Sequence, residues 1–367
     1  MENDKIITGK IRRIKKLVTS QIVYDIQVEK NHNFFANNIL AHNCGEIFLR
    51  DRELCNLTEI VARPHDDFES LKNKVELATI LGTIQSTLTK FRYMSQDWSK
   101  NCEEERLLGV SITGIMDNPL LNGKSKNSTN LPALLNNLRT HAVNTNKIWA
   151  KKLGIEEAKA VTCCKPSGTV SALVNSASGI HPRWSQFYLR SVRANKTESI
   201  AKFMIKEGFP HELDITNPEQ TYIFYFPIKF DGDHSTSIFR GEMTAIEQLE
   251  FWKVYKDNWT EHNPSVTIYV KENEWIEVAA WVYKHFDDIC GVSFLPYTEH
   301  IYKQAPFSEC TEEEYKSWMK KMPKDVDWTK LSEFEEEDLT TSAQEFACSG
   351  GSCEFVDVIK SIGEKNG

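Results

Sequence analysis

The hydrophobic pattern of this chain changes period near Cys44, and that change limits the folds open to it. Up to residue 43 the apolar and β-branched residues fall in short runs, at 5–11, 21–28 and 33–40, parted by polar turns. Such runs predict the strands of a small all-β unit. Beyond Cys44, Phe68, Leu71, Val75, Ala78, Leu81, Ile84, Leu88 and Phe91 recur at three- and four-residue spacing behind Asp66 and Asp67. That is the mark of a long amphipathic helix with an acidic N-terminal cap. A second helix is expected over 131–153, with Asn130 before it, Pro132 in its first turn and Gly154 stopping it. Strands are expected at 158–164, 222–228, 266–270 and 289–295, and helices at 244–259 and behind the capping-box pair Thr311 and Glu314. Strands alternating with helices through 44–330 predict an α/β architecture. Residues 331–346 (LSEFEEEDLTTSAQEF) are acidic and weakly apolar, which predicts a mobile tether. The chain thus divides into 1–43, 44–330 and a tail at 331–367.

Composition narrows the function classes. With 40% hydrophobic and 26% charged residues the chain is globular and buries a sizeable core. A net charge of -8 argues against a nucleic-acid surface, which gathers Lys and Arg to neutralise phosphates. The basic cluster at 10–16 (KIRRIKK) reads as a solvated strand edge or turn. No apolar stretch approaches the roughly 18 residues needed to span a bilayer, and MENDKIITGK lacks the apolar run of a signal peptide. A cytoplasmic protein without membrane contact is expected. Nine cysteines, an odd number in such a chain, point away from a disulfide scaffold and toward catalytic or redox thiols, most of the nine being plain buried side chains.

The tripeptide His42-Asn43-Cys44 combines three adjacent capabilities. An Asn side-chain amide can attack its own carbonyl and cleave the following peptide bond. His42 can move the proton that lets the amine depart. The Cys44 thiol can take an acyl group before the cleavage and pass it to its own amine afterwards. The stretch 23–44, VYDIQVEKNHNFFANNILAHNC, resembles the two C-terminal blocks of inteins along its whole length, through Tyr24-Asp25, His32-Asn33-Phe34, Ala36-Asn37 and Ile39-Leu40. The resemblance implies that Asp25 and His32 assist acyl transfer and Asn43 activation, that His42 is the penultimate histidine, Asn43 the cyclising residue and Cys44 the first extein residue. Met1 lies close to the junction and no N-terminal splicing block or upstream nucleophile precedes it. The expectation is the C-terminal piece of a split intein of the HINT type, needing a second polypeptide in trans.

From Cys44 onward the text CGEIFLRDRELCNL sets Glu46 two residues after one Cys and brings a second, Cys55, soon after. Removing a ribose 2'-hydroxyl needs a thiyl radical to take the 3'-hydrogen, a carboxylate to accept the 3'-hydroxyl proton and a dithiol to supply two electrons. The segment resembles the Asn-Pro-Cys-Gly-Glu loop of ribonucleotide reductases, which implies Cys44 as the radical carrier, Glu46 as the general base and Cys55 as one member of the reducing dithiol. His42 and Asn43 stand where the family has Asn and Pro, as expected if the gene is cut inside the motif and the missing residues return by splicing. Near the C-terminus Cys348-Ser-Gly-Gly-Ser-Cys353 offers two thiols across a Gly-rich turn, able to form an easily exchanged disulfide. It resembles the family's swinging redox arm, which implies a thioredoxin-like reductant. A zinc site is the rival reading, but two Cys with no nearby His make a poor ligand set, so no metal is expected.

The sequence CCKPSGTVSAL follows an expected strand and opens a helix, so the backbone of Pro166, Ser167, Gly168 and Thr169 would face whatever binds there. It is not a P-loop, since the GxxxxGK[ST] order is missing. It resembles the substrate phosphate site of the same reductases, and SGIHPRWS (178–185) extends the match, with His181 and Arg183 as weaker candidates there or as structural residues. Class I large subunits carry adjacent tyrosines near the C-terminus, and no two of these 11 tyrosines are adjacent. The KPSGT form and GVSITGIMDN (109–118) are more similar to the cobalamin-dependent class. The resemblance implies the C-terminal half of a ten-stranded α/β barrel, adenosylcobalamin as cofactor, a ribonucleotide, in triphosphate form, as substrate, and trans-splicing as the route to an active enzyme. The alternative is a self-processing intein fragment joined to an inactive or decayed reductase remnant.

Overall fold

The computed structural model describes residues 33–36, 39–42, 46–124, 130–230, 232, 234–297 and 303–335, the two shortest of these as backbone alone. The expected strand at 33–40 is a hairpin: β1 (Asn33–Ala36) runs antiparallel to β2 (Ile39–His42), with Asn33 opposite His42. The expected strands at 5–11 and 21–28 lie outside the described residues.

The body of the chain is built on parallel strands. β3 (Asn56–Val61) pairs in parallel with β4 (Leu108–Thr113), from Asn56↔Leu108 to Val61↔Thr113. The next segment, 160–164, joins β4 through the Leu108 N–H to Ala160 carbonyl bond at 3.0 Å and the Cys163 N–H to Val110 carbonyl bond at 3.0 Å. It then changes partner, because the Ser265 N–H bonds the Cys164 carbonyl at 2.9 Å. That switch is why an expected strand at 158–164 makes isolated bridges, Val110↔Thr162 and Cys164↔Pro264, rather than a ladder. β8 (Val266–Val270) continues the array and pairs in parallel with β9 (Val292–Pro296). Among the described residues the array is open from β3 to β9, and no closed barrel forms.

Helices cover one side of this array. α1 (Phe68–Gln85) begins behind Asp67, whose side chain accepts from the Ser70 N–H. It stops before the expected Phe91 because its last turn tightens: the Thr87 N–H bonds the Ile84 carbonyl at 3.0 Å, and the Ser86 hydroxyl bonds the Thr83 carbonyl at 2.7 Å. Its buried stripe is Leu71, Val75, Ala78, Thr79, Gly82 and Thr83, while Leu81, Ile84 and Leu88, read as part of the same periodic face, stay exposed. α2 (Gln96–Glu105) precedes β4. α3 (Leu131–Leu153) matches its expected bounds, capped by Asn130 and ended by Gly154 at φ 67°. Leu135, Leu138 and Ala142 of α3 meet Trp252 and Tyr255 of α6 (Ala245–Asn258) in the main core. α7 (Trp275–Lys284) bridges β8 to β9.

A second layer grows from the chain between these strands. β5 (Phe187–Asn195), β6 (His211–Leu213), β7 (Thr221–Lys229) and β10 (Phe307–Glu309) form an antiparallel sheet in the order β10-β5-β7-β6. α5 (Ser199–Lys206) brings Phe203 into a cluster with Phe209 and Phe224, and α8 (Glu312–Met319) lies against the sheet. The expected tether does not start at residue 331. A 3-10 helix, Trp328–Phe334, packs Leu331 and Phe334 on the Phe203 cluster, because these two apolar side chains offset the acidic character of the stretch around them. Among the described residues no helix is long and apolar enough to cross a membrane.

Candidate active site

The register of β3 on β4 sorts their side chains onto two faces. Ile60, Leu108, Val110 and Ile112 turn to the helices and are buried, while Glu59 and Ser111, directly paired, turn to the other face. Cys55 sits just ahead of β3 on the polar face. Gly109 makes room for its thiol: a Cβ there would lie 3.2 Å from the Cys55 sulfur and 2.5 Å from Leu57 Cδ2.

The loop that carries Glu46 is fastened at both ends. The Asn263 N–H donates to the Glu46 carbonyl at 2.9 Å, and Arg50, paired with Glu53 of the same loop, ties the loop to α2 through Glu104 and Glu105. Glu46 is 6% exposed, and its carboxylate lies 3.8 Å from the Lys165 ammonium. Lys165 thereby joins the Glu46 loop to the turn at 165–169. Its backbone N–H donates to the Ser111 hydroxyl at 3.0 Å.

The turn itself is built from unusual backbone. Ser167 takes the left-handed conformation at φ 57°, which a side chain other than glycine adopts only when its surroundings hold it there. Here the Ser167 hydroxyl donates to Glu59 at 2.6 Å and the Ser178 hydroxyl donates to the Pro166 carbonyl at 2.5 Å. Gly179, at φ 54°, comes so close that a Cβ would lie 2.2 Å from the Lys165 carbonyl oxygen. α4 (Gly168–Leu173) opens where the sequence places it, with Thr169 exposed and Pro166, Ser167 and Gly168 half-buried.

The electrostatics favour protonated thiols. Burial pushes the Cys55 thiol up to about 12, against the opposing pull of Lys165. Cys163 is driven well above its ordinary value by burial first and by the neighbouring Cys55 next. A thiol in that state is a hydrogen-atom donor rather than a nucleophile. Burial also raises the Glu59 carboxyl, with hydrogen bonds from Ser167 and Ser111 and the charge of Lys165 acting the other way.

Glu46, Cys55 and the 165–169 turn therefore come together. His181 and Arg183 take the structural reading. His181 has Nδ1 2.8 Å from the Ser178 carbonyl and accepts at Nε2 from the Thr267 N–H at 2.9 Å. Arg183 is buried in a two-point pair with Asp117, at 2.9 Å and 3.0 Å. Asp25, His32, Asn43, Cys44, Cys348 and Cys353 lie outside the described residues, and His42 is described only as the last backbone position of β2. Sequence reasoning missed Lys165, Glu59 and Cys163. Glu59 left no local signal, since the apolar Leu57 and Val61 share its strand face.

No protein-family model matches the chain. It is similar to the adenosylcobalamin-dependent ribonucleoside-triphosphate reductase of Euglena gracilis, 26% identical over 285 residues that make up 77% of this chain and 38% of the relative. A probable enzyme of the same description from Dictyostelium discoideum is 27% identical over 328 residues, 85% of this chain and 40% of the relative. The Lactobacillus leichmannii reductase is 23% identical over 338 residues, with 84% and 44% covered. The chain thus spans well under half the length of these curated relatives. A crystal structure of a B12-dependent (class II) ribonucleotide reductase superimposes with a TM-score of 0.64 and 22% identity, covering 80% of this chain and 44% of that one. The α/β fold of this chain is accordingly the fold of part of that reductase, and its sequence is related to the adenosylcobalamin-dependent reductases.

Proposed function

We propose that this chain carries the C-terminal catalytic part of an adenosylcobalamin-dependent ribonucleotide reductase, joined to its other part by protein trans-splicing at Asn43 and Cys44. The observation that carries the reductase reading is the meeting of Glu46, Cys55 and the Lys165–Thr169 turn on one polar strand face, in a chain related to such enzymes. In this reading the Pro166, Ser167, Gly168 and Thr169 backbone receives the phosphates of a ribonucleoside triphosphate. Glu46 takes the 3'-hydroxyl proton while the Cys44 thiyl radical takes the 3'-hydrogen. Cys55, kept protonated by burial, gives a hydrogen atom and shares the two-electron reduction with a thiol of the partner polypeptide. Cys348 and Cys353 then restore the dithiol with electrons from a thioredoxin-like protein.

Adenosylcobalamin would supply the radical that Cys44 carries. The described residues do not define a cradle for it, since the nearby histidines His181 and His262 engage backbone groups through their rings.

Splicing is the half of the proposal that rests on residues 23–44 alone. It is tested by mass spectrometry of the chain co-expressed with a partner whose reductase part ends in Asn-Pro and is followed by the N-terminal intein piece. Loss of residues 1–43 and ligation to Cys44, abolished by Asn43→Ala, is the expected result. An intact, unligated chain overturns the splicing reading. A ligated product that forms no deoxyribonucleotide with adenosylcobalamin and a dithiol overturns the reductase reading.

A further inference from the structure

Glu46 is buried, and a buried carboxylate needs a counter-charge to remain useful as a base. The structure sets the Lys165 ammonium 3.8 Å away. Lys165 is fixed from both sides: its N–H is held by the Ser111 hydroxyl, and its carbonyl is packed against Gly179. The next polar residue, Ser167, is held by Glu59, which is the strand partner of Ser111. Glu59, Ser111, Lys165 and Ser167 therefore form one connected unit in which the turn at 165–169 and the cation beside Glu46 keep a single relative position.

We propose that Lys165 is a positioning residue for Glu46: its ammonium, carried on the turn at 165–169, holds the Glu46 carboxylate in place and couples that placement to the state of the turn. The proposal rests on Glu46 being the base of the reaction above. The groups that face Lys165 come from four segments: Glu46 from its loop, Cys55 and Glu59 from the start and middle of β3, Cys163 from the strand segment before the turn, and His262 from the loop before β8. Removing the ammonium leaves the buried Glu46 carboxylate without its ion-pair partner. The side chain of Lys165 is itself 33% exposed on the site, which leaves it within reach of an anionic ligand when one occupies the turn.

The test compares Lys165→Met and Lys165→Arg in the ligated enzyme and in the chain as it stands. In the ligated enzyme Lys165→Met should lower kcat about tenfold or more with KM within about twofold, as expected when a base loses the group that places it. Lys165→Arg should restore most of the lost kcat. An unchanged kcat overturns the proposal, and so does a raised KM with kcat intact, which would make Lys165 a ligand of the substrate phosphates. The second arm needs no reductase activity. Alkylation of Cys55 by iodoacetamide at fixed pH, mapped by mass spectrometry, should slow about three- to tenfold in Lys165→Met, because the cation that favours the thiolate is gone. Equal rates in a variant that melts with the parent chain overturn the proposal. If the ligated parent enzyme makes no deoxyribonucleotide while alkylation slows as expected, the reductase reading falls and the placement of Lys165 stands.

Discussion

Arg183 and Asp117 bring a residue from just after the turn back onto the segment that follows β4. Their two hydrogen bonds are joined by one from Arg183 to the Asn175 side chain at 3.1 Å, and the guanidinium lies over the Phe230 ring at 4.5 Å. Because both charges are buried, removing either strands the other in a medium that solvates it poorly. Arg183→Ala and Asp117→Ala should each destabilise the chain by about 3–5 kcal/mol, read from urea unfolding, with the double variant costing less than the sum. The neighbouring histidines give a pH prediction. Burial lowers the His181 and His262 rings below 6.5, so the folded chain binds their protons less readily than the unfolded chain does. Their contribution is complete above 6.5 and is lost as the pH falls through that value toward the depressed folded values. Urea midpoints should drop between about pH 7.5 and pH 5.5, and His262→Gln should flatten that slope.

At the scale of elements, α3 carries the clearest energetic contrast. Leu138 is fully buried in the main core, Asn130 accepts from the Ala133 N–H at 3.1 Å, and Ile148 is 54% exposed. Leu138→Ala should cost about 2–5 kcal/mol, Asn130→Ala about 1 kcal/mol, and Ile148→Ala under about 0.5 kcal/mol, all measurable by thermal or urea melts. The same helix was legible in the sequence because its start and stop are written in local chemistry: an Asn cap, a Pro in the first turn, a Gly at the end. α1 was legible in position but not in length. Its apolar spacing continues past the point where Ser and Thr hydroxyls turn back on the backbone, and spacing alone does not distinguish a buried leucine from the exposed Leu81 and Leu88. The segment at 160–164 was legible as extended chain, yet its change of partner at Cys164 depends on Ser265, far away in sequence. The candidate site follows the same division. Glu46, Cys55 and the Pro166–Thr169 turn were recognisable from short motifs, whereas the roles of Glu59 and Lys165 arise from contacts between strands that no local pattern encodes.

Beyond the β1–β2 hairpin, the described residues form a parallel array that carries the candidate site and an antiparallel layer in the order β10-β5-β7-β6. The end of the described chain belongs to the second layer. Phe203 is fully buried, and it meets the Trp328 ring at 5.3 Å and the Phe334 ring at 5.7 Å. The Ser199 hydroxyl also donates to the Phe334 carbonyl at 2.7 Å, pinning the start of α5 to the last turn. A chain ended after Glu335 should therefore melt with the full chain, while one ended after Met322 should lose at least about 3 kcal/mol by uncovering the Phe203 cluster. Equal stability of the two would mean that 323–335 is only a spacer. The same pair of truncations separates folding from the role proposed for the tail. In the ligated enzyme, ending the chain after Glu335 removes Cys348 and Cys353 without touching the Phe203 cluster. If those thiols restore the active-site dithiol, this variant should complete a single round of reduction and then stop, because Cys55 and its partner thiol are left oxidised. Rapid-quench counting of deoxyribonucleotide per enzyme would read that stop directly. Continued turnover with a thioredoxin-like reductant would show that the reductant reaches Cys55 without the tail, and the half-buried position of that thiol beside Gly109 would then be its port of entry.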